Sequence, residues 1–244
     1  MASDSASANR DQDPAFVQAA FTSIASRYVL TNHVLSMGID VSWRKKVAKI
    51  VAARNPEFIL DVATGSGDLA AEVWKACPDA RIVGADFCAP MLEHAKKRGL
   101  PELIVADGMD LPFDDGSVDV ITIGYGLRNM ENWAGAVREF SRVLKPGGTL
   151  VILDFSLPAN PVLRAPYRFY LHHILPLIAG VLTGNRQAYQ YLGESIERFP
   201  KGDDMTAMLL ENGYTTASAT PLATGISSVY VAEKGAAATG ASPA

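Results

Sequence analysis

The sequence predicts an α/β fold: a doubly wound, mostly parallel seven-stranded sheet with N-terminal helices and an inserted helical lid. Three observations predict it. Short apolar runs of strand length alternate with amphipathic stretches along most of the chain, the pattern of parallel strands joined by crossover helices. A glycine-bearing turn, Asp61-Val62-Ala63-Thr64-Gly65-Ser66-Gly67-Asp68, stands where the first such run meets its helix. Finally, 244 residues with 48% hydrophobic content suffice for one large core and leave little room for a second.

Taken in order, Met1 to Pro14 is rich in Ser, Ala and Asp and has no apolar stretch behind a basic start. A disordered tail without a secretory signal, and a cytoplasmic chain, are expected. From Ala15 to Val51, Phe16, Ala20, Ile24 and Tyr28 recur at helical spacing, and a second helix follows Ser42 as its cap. The strand-like runs are Phe58 to Ala63, Arg81 to Ala85, Leu103 to Ala106, Val118 to Ile123 and Thr149 to Phe155. Helices fill Asp68 to Cys77, Pro90 to Arg98 and Trp133 to Leu144, the last ending at Lys145-Pro146-Gly147-Gly148. The segment Pro161 to Phe199 interrupts the alternation and reads as inserted helices, a lid over about residues 159–200. A helix from Asp203 to Glu211, a stop at Gly213 and strand-like runs Tyr214 to Thr220 and Ile226 to Val231 complete a single domain over residues 15–234. Residues 235–244 form a second disordered tail.

Composition excludes several functions. A net charge of -4 without clustered Lys and Arg gives no footprint for nucleic acid. Two cysteines, Cys77 and Cys88, read as core thiols in a reducing compartment. The longest apolar run, Ile174 to Leu182, is interrupted by Pro176 and falls well short of the roughly 20 residues a spanning helix needs. His172 and His173 are adjacent, so on a helix they point apart, and no metal site is expected.

Chemistry is expected around the glycine turn. Gly65 and Gly67 let the backbone approach a ligand, Asp86 closes the second strand where a carboxylate can accept from both ribose hydroxyls, and Asp107-Gly108 follows the third strand beside an adenine position. Ala70 occupies the place of the third glycine of a dinucleotide fingerprint, and Asp61 and Asp68 flank the turn. Acidic flanks suit a cationic ligand better than a pyrophosphate, although Ala in that place leaves a dinucleotide open.

Together, Ile59 to Asp68, Gly84-Ala85-Asp86-Phe87, Leu111-Pro112-Phe113 and Arg142 to Gly148 resemble the class I methyltransferase superfamily, with its Rossmann-like fold. Gly126-Leu127-Arg128-Asn129, Tyr191-Leu192-Gly193-Glu194-Ser195-Ile196 near Phe199-Pro200, and the stretches Phe21 to Tyr28 and Ser36 to Trp43 resemble the ubiquinone/menaquinone biosynthesis C-methyltransferase family. The resemblance implies S-adenosyl-L-methionine as cofactor, held by a set comprising Asp61, Gly65, Ser66, Gly67, Asp86, Phe87, Asp107, Gly108 and Gly124. It implies C-methylation of a polyprenyl quinol, with demethylmenaquinol preferred. The alternatives are a demethoxylated benzoquinol, another small acceptor, or a non-catalytic partner subunit of the same fold. Val29 and His33 stand where that family usually carries Asp, and Gly225 to Tyr230 lacks the His typical of its closing strand.

A ring carbon attacks the donor methyl only once a neighbouring hydroxyl has lost its proton, so a group must stabilise a phenolate. Arg128 is the first candidate for this role and Tyr28 the second. Tyr167, Phe169, Tyr170, Leu171, Ile174, Leu175 and Leu177 are expected to line a tunnel for the prenyl tail or to form a buried helix, and Arg164 and Arg168 to meet anionic headgroups in a peripheral membrane contact. A homodimer is compatible with this reading.

Overall fold

The computed structural model describes residues 38–177, 180 and 186–236. Tyr28, Val29, His33 and the first expected helix lie outside the described residues.

Seven strands form one sheet: β1 (Phe58–Val62), β2 (Arg81–Asp86), β3 (Leu103–Val105), β4 (Val118–Gly124), β5 (Leu144–Phe155), β6 (Thr216–Leu222) and β7 (Ser227–Glu233). Their order is β3-β2-β1-β4-β5-β7-β6. The first five are parallel, and β7 runs antiparallel to both β5 and β6. The crossovers explain the difference. Helices α2 (Asp68–Ala76), α3 (Ala89–Lys97) and α4 (Trp133–Val143) each give the chain length to return and start the next strand in the same direction. Between β6 and β7 only the short turn Ala223–Gly225 intervenes, which forces a hairpin.

The central strands alternate between two buried layers. Ile59, Val120, Val151 and Leu153 pack into one layer with α1 (Asp40–Ala52) and α2, whereas Leu60, Val62, Ile121, Ile123 and Ile152 pack into the other with α4 and α7 (Asp203–Glu211). Strands covered on both faces read as continuous apolar runs, which is why they were legible in the sequence. Strand order reverses between β1 and β4, so the crevice at the carboxyl ends of these two strands is where such a sheet receives a ligand.

Three local expectations need correction. Helix α1 begins at Asp40, and Ser42 lies inside its first turn with its hydroxyl donating to the Ile39 carbonyl at 2.7 Å, so it is not the N-cap. Lys145 to Gly148 is part of β5: Leu144 pairs with Val118, and the register shifts before Thr149 meets Val120. The lid comprises α5 (Pro161–Phe169), a π-helical turn (Tyr170–Ile174) and α6 (Arg186–Arg198), and within it Leu171 and Leu175 join the core while Phe169, Ile174 and Leu177 face outward. Its two arms are tied by Arg168 and His172, which both reach Glu197, the latter at 3.0 Å. Arg164 spends its guanidinium on the Pro158 and Ala159 carbonyls. Both guanidiniums are thus engaged within the lid.

Candidate active site

Asp61 sits near the end of β1 with 1% exposure. A carboxylate buried in the sheet needs partners, and the register supplies them. Thr122 is its direct neighbour on β4 and donates one hydroxyl hydrogen bond, and Thr64 donates the other at 2.6 Å. Gly84, the neighbour on β2, makes room for Thr64: a Cβ there would lie 3.1 Å from the Thr64 side chain. Burial pushes the Asp61 carboxyl up to about 6, against the opposing pull of the two hydroxyls.

Beyond β1 the chain turns sharply through Ala63, Gly65 and Gly67, all at positive φ. Gly67 opens α2 at φ 75°, and a Cβ there would meet Leu100 at 2.6 Å. An L side chain here would be strained by the left-handed backbone and would have to displace Leu100. Asp86, at the end of β2, accepts from the Gly65 amide at 2.7 Å and from the Cys88 amide at 2.8 Å, tying the first turn to the second. Burial raises its carboxyl above the ordinary range while these amides pull it down. Ser66 turns its hydroxyl onto Asp68. Asp107 is exposed and accepts from the Met109 amide at 2.9 Å, whereas Gly108 is buried beneath Met130 and Val62.

These residues converge. One cleft is lined by Asp61, Gly65, Ser66, Asp86, Phe87, Asp107, Gly108 and Gly124 from the expected set. Gly67, at the N-cap of α2, is not among the lining residues. The same cleft is lined by Asp40 and Arg44 of α1, which sequence reasoning missed, and by Tyr125 and Asn129 from the loop after β4. An Asp and Arg at i, i+4 on a helix look like an ordinary surface pair. Only the packing of α1 against α2 shows that they are buried, at 1% and 7% exposure.

Arg128 occupies the centre of that loop, in the 3-10 turn Leu127–Asn129, but does not line the cleft. Its guanidinium is 3% exposed, donates to Asp154 Oδ1 at 2.8 Å and to the Tyr125 carbonyl at 2.6 Å, and lies over the Phe155 ring. Asn129 donates to the same Tyr125 carbonyl at 3.2 Å and accepts from the Tyr191 hydroxyl at 3.3 Å. Tyr125 is held at φ 59°, a strained value for a non-glycine residue. The loop is thus fixed from below by an ion pair and from the side by α6.

The family model for the ubiE/COQ5 methyltransferase family matches residues 7–234. The chain belongs to this family. Among its relatives, the demethylmenaquinone methyltransferase of Thermus thermophilus is 40% identical over 219 residues, covering 88% of this chain and 99% of the relative. That of Corynebacterium efficiens is 39% identical, with 94% and 98% covered. The ubiquinone/menaquinone biosynthesis C-methyltransferase of Bdellovibrio bacteriovorus is 39% identical, with 91% and 97% covered. The fold is shared with an S-adenosylmethionine-dependent methyltransferase from Thermotoga maritima, at a TM-score of 0.64 and 16% identity over 89% of this chain and 99% of that one. For a ubiE/COQ5 methyltransferase, the chain places its two most distinctive stretches together: Asn129 from Gly126-Leu127-Arg128-Asn129 meets Tyr191 from Tyr191 to Ile196 across 62 residues of sequence.

Proposed function

We propose that the chain transfers the methyl group of S-adenosyl-L-methionine to a ring carbon of demethylmenaquinol, giving menaquinol. The observation that carries the acceptor is the Tyr191–Asn129 contact, which brings the lid onto the loop that rims the donor cleft. The relatives named demethylmenaquinone methyltransferase favour the naphthoquinol over the benzoquinol.

The residues present fit the donor. Six carboxylates line the cleft, those of Asp40, Asp61, Asp68, Asp86, Asp107 and Glu131, which suits a ligand with a cationic sulfonium. When bound, the sulfonium supplies an activated methyl, so the protein aligns the acceptor and excludes water. Asp86, already oriented by two amides, offers its remaining lone pairs to the ribose hydroxyls. Gly108 lines the cleft beside Asp107, and the Gly65 to Gly67 turn lets the chain pass close to the donor.

At the acceptor end, Arg128 acts as a positioning residue. Its ion pair with Asp154 and its bond to the Tyr125 carbonyl hold the turn that presents Asn129. The donor would supply its methyl and leave as a neutral thioether, and the ring, attacking as the phenolate after a hydroxyl proton has passed to solvent, would regain the aromatic quinol as its ring proton moves to that oxygen. Among the described residues, Val162, Leu163, Phe169, Ile174 and Leu177 form exposed apolar positions on the lid, a face suited to the bilayer in which a prenyl tail dissolves. No helix among the described residues is long and apolar enough to cross a membrane, and a peripheral contact from the inner face is the arrangement we favour.

The test is direct. Purified protein is incubated with methyl-labelled S-adenosylmethionine and chemically reduced demethylmenaquinol in detergent, beside a demethoxylated benzoquinol. Label in the naphthoquinol fraction is expected. Label in the benzoquinol alone would reassign the acceptor, and no label in either, with donor binding intact, would favour the partner-subunit role.

A further inference from the structure

Tyr125 stands directly after β4, on the loop that carries Asn129, and lines the cleft while only 5% exposed. Its hydroxyl is buried and has no hydrogen-bond partner among the described residues. The Ser227 hydroxyl lies alongside but gives its own proton to the Asp154 carbonyl at 2.8 Å. The ring is held in place. It packs on Phe155 at a centroid distance of 4.6 Å, and the backbone beneath it sits at φ 59° with its carbonyl accepting from both Arg128 and Asn129. A buried donor without a partner costs stability that a phenylalanine ring in its place would recover. A hydroxyl fixed in that condition is preorganised for a group that arrives from outside.

The surroundings say what kind of group. The charged side chains that face the hydroxyl are Asp40 and Arg44 from α1 and Asp154 from β5. Burial pushes the hydroxyl well above its ordinary range, so it stays protonated and can only offer a hydrogen bond to an incoming oxygen. On its other side Tyr125 belongs to the apolar layer into which the lid sends Leu171 and Leu175, with Tyr167 and Tyr170 packed against that layer. A flat aromatic ring admitted between the lid and the end of β4 therefore meets this hydroxyl among apolar and aromatic walls. Of the atoms a quinol brings, its ring oxygen gains most from a fixed O–H, because that oxygen carries the charge of the reacting phenolate.

We propose that the Tyr125 hydroxyl donates a hydrogen bond to the acceptor's ring oxygen and holds it as the phenolate through methyl transfer, which makes Tyr125 a catalytic residue. This rests on the quinol reading above. Tyr125 keeps its own proton throughout. The quinol's hydroxyl proton leaves to solvent, the ring carbon bonds to the methyl as the sulfur–methyl bond breaks to leave a neutral thioether, and the ring proton then moves to the oxygen that Tyr125 holds.

Tyr125→Phe keeps the ring and removes only the hydroxyl. Turnover of chemically reduced demethylmenaquinol with methyl-labelled S-adenosylmethionine should fall about 10- to 100-fold at pH 7, the range of a lost charge-assisted hydrogen bond. The rise of turnover with pH should move upward by about one to two pH units, so that the loss shrinks in alkaline buffer. An equal loss at every pH is what a packing role would give and would overturn the proposal, as would a wild-type rate and profile. S-adenosylhomocysteine should bind within about twofold of the wild type by calorimetry, and a larger loss would assign the hydroxyl to the donor instead. The variant apoprotein should melt at or above the wild-type temperature, because an unpartnered buried hydroxyl has gone. A clearly lower melting temperature, or failure to fold, would mean that the hydroxyl has a structural partner, Ser227 foremost, and would overturn the proposal. Wild-type protein that binds S-adenosylhomocysteine but methylates no quinol would instead sink the acceptor reading, and this proposal with it.

Discussion

At the residue scale, Asp61 pays for the site's charge complementarity with stability. Its carboxyl is pushed up to about 6 from the ordinary 3.8 because burial disfavours the ion. The folded apoprotein therefore holds a proton that the unfolded chain has released between about pH 4 and pH 6, and this group's contribution to stability falls as pH rises through that window. Above it the cost is on the order of 3 kcal/mol. Asp61→Asn, which keeps the shape and can still hydrogen-bond Thr64 and Thr122, should raise the melting temperature of the apoprotein at pH 7.5 by several degrees. A bound cation reverses the sense, since it favours the ionised carboxyl. S-adenosylmethionine affinity in the wild type should therefore weaken severalfold between pH 7.5 and 5.5, and Asp61→Asn should flatten this dependence while binding more weakly at neutral pH, both measured by calorimetry. Arg128 gives a second prediction at this scale. Arg128→Met leaves Asp154, at 0% exposure, as an uncompensated buried charge and should cost about 3–5 kcal/mol in chemical denaturation. Arg128→Met with Asp154→Leu should recover most of that loss. If the double variant regains stability and also full turnover, Arg128 neither positions the loop nor touches the acceptor.

At the level of elements, the first turn is the most constrained. Gly67 combines a left-handed backbone at φ 75° with a Cβ position 2.6 Å from Leu100 and 3.0 Å from Ala95. Gly67→Ala should lose about 2–4 kcal/mol, read by denaturant titration, and the displaced turn should lose S-adenosylhomocysteine binding with it. This turn was legible because glycine spacing at a strand end has a backbone meaning that does not depend on tertiary contacts. The strands β1, β2 and β4 were legible for a related reason: double-sided burial leaves uninterrupted apolar runs, and their ends fell within a residue or two of the expectation, as did those of the helix Asp203–Glu211. What was not legible depended on which face met which neighbour. Asp40 and Arg44 carry no signal that separates a buried cleft pair from an exposed helix pair. Ser42 is a common capping residue, yet the chain before it already turns at Ile39, so its hydroxyl folds back within the helix. Arg128 was picked out by its motif, but sequence cannot say whether a guanidinium faces the cleft or, as here, turns beneath it toward Asp154. In the lid, the break in the strand–helix alternation predicted inserted helices but not that Leu171 and Leu175 enter the core while Phe169 and Leu177 remain outside.

Across the whole molecule, the donor cleft and the lid make demands on different solvents. The cleft collects carboxylates, whereas the lid presents Phe169 and Leu177 outward at 59% and 56% exposure. The acceptor's ring has to leave a bilayer to reach the loop at Asn129, and its tail gains nothing by following it into water. A lid face that rests on the bilayer shortens that transfer. Fully burying one large apolar side chain is worth about 1.5–3 kcal/mol, so two that are already partly covered should contribute on the order of 2 kcal/mol to partitioning, or roughly 30-fold. Phe169→Ser with Leu177→Ser should therefore bind vesicles of mixed neutral and anionic lipid at least ~10-fold more weakly in a flotation assay. Its turnover of a long-chain quinol embedded in those vesicles should fall by a similar factor, while turnover of a short-chain quinol in detergent and S-adenosylhomocysteine binding stay at wild-type values. An equal fall with both quinols would place these side chains in acceptor binding or lid stability. Unchanged vesicle binding would remove the bilayer from the account and leave the exposed face to another role.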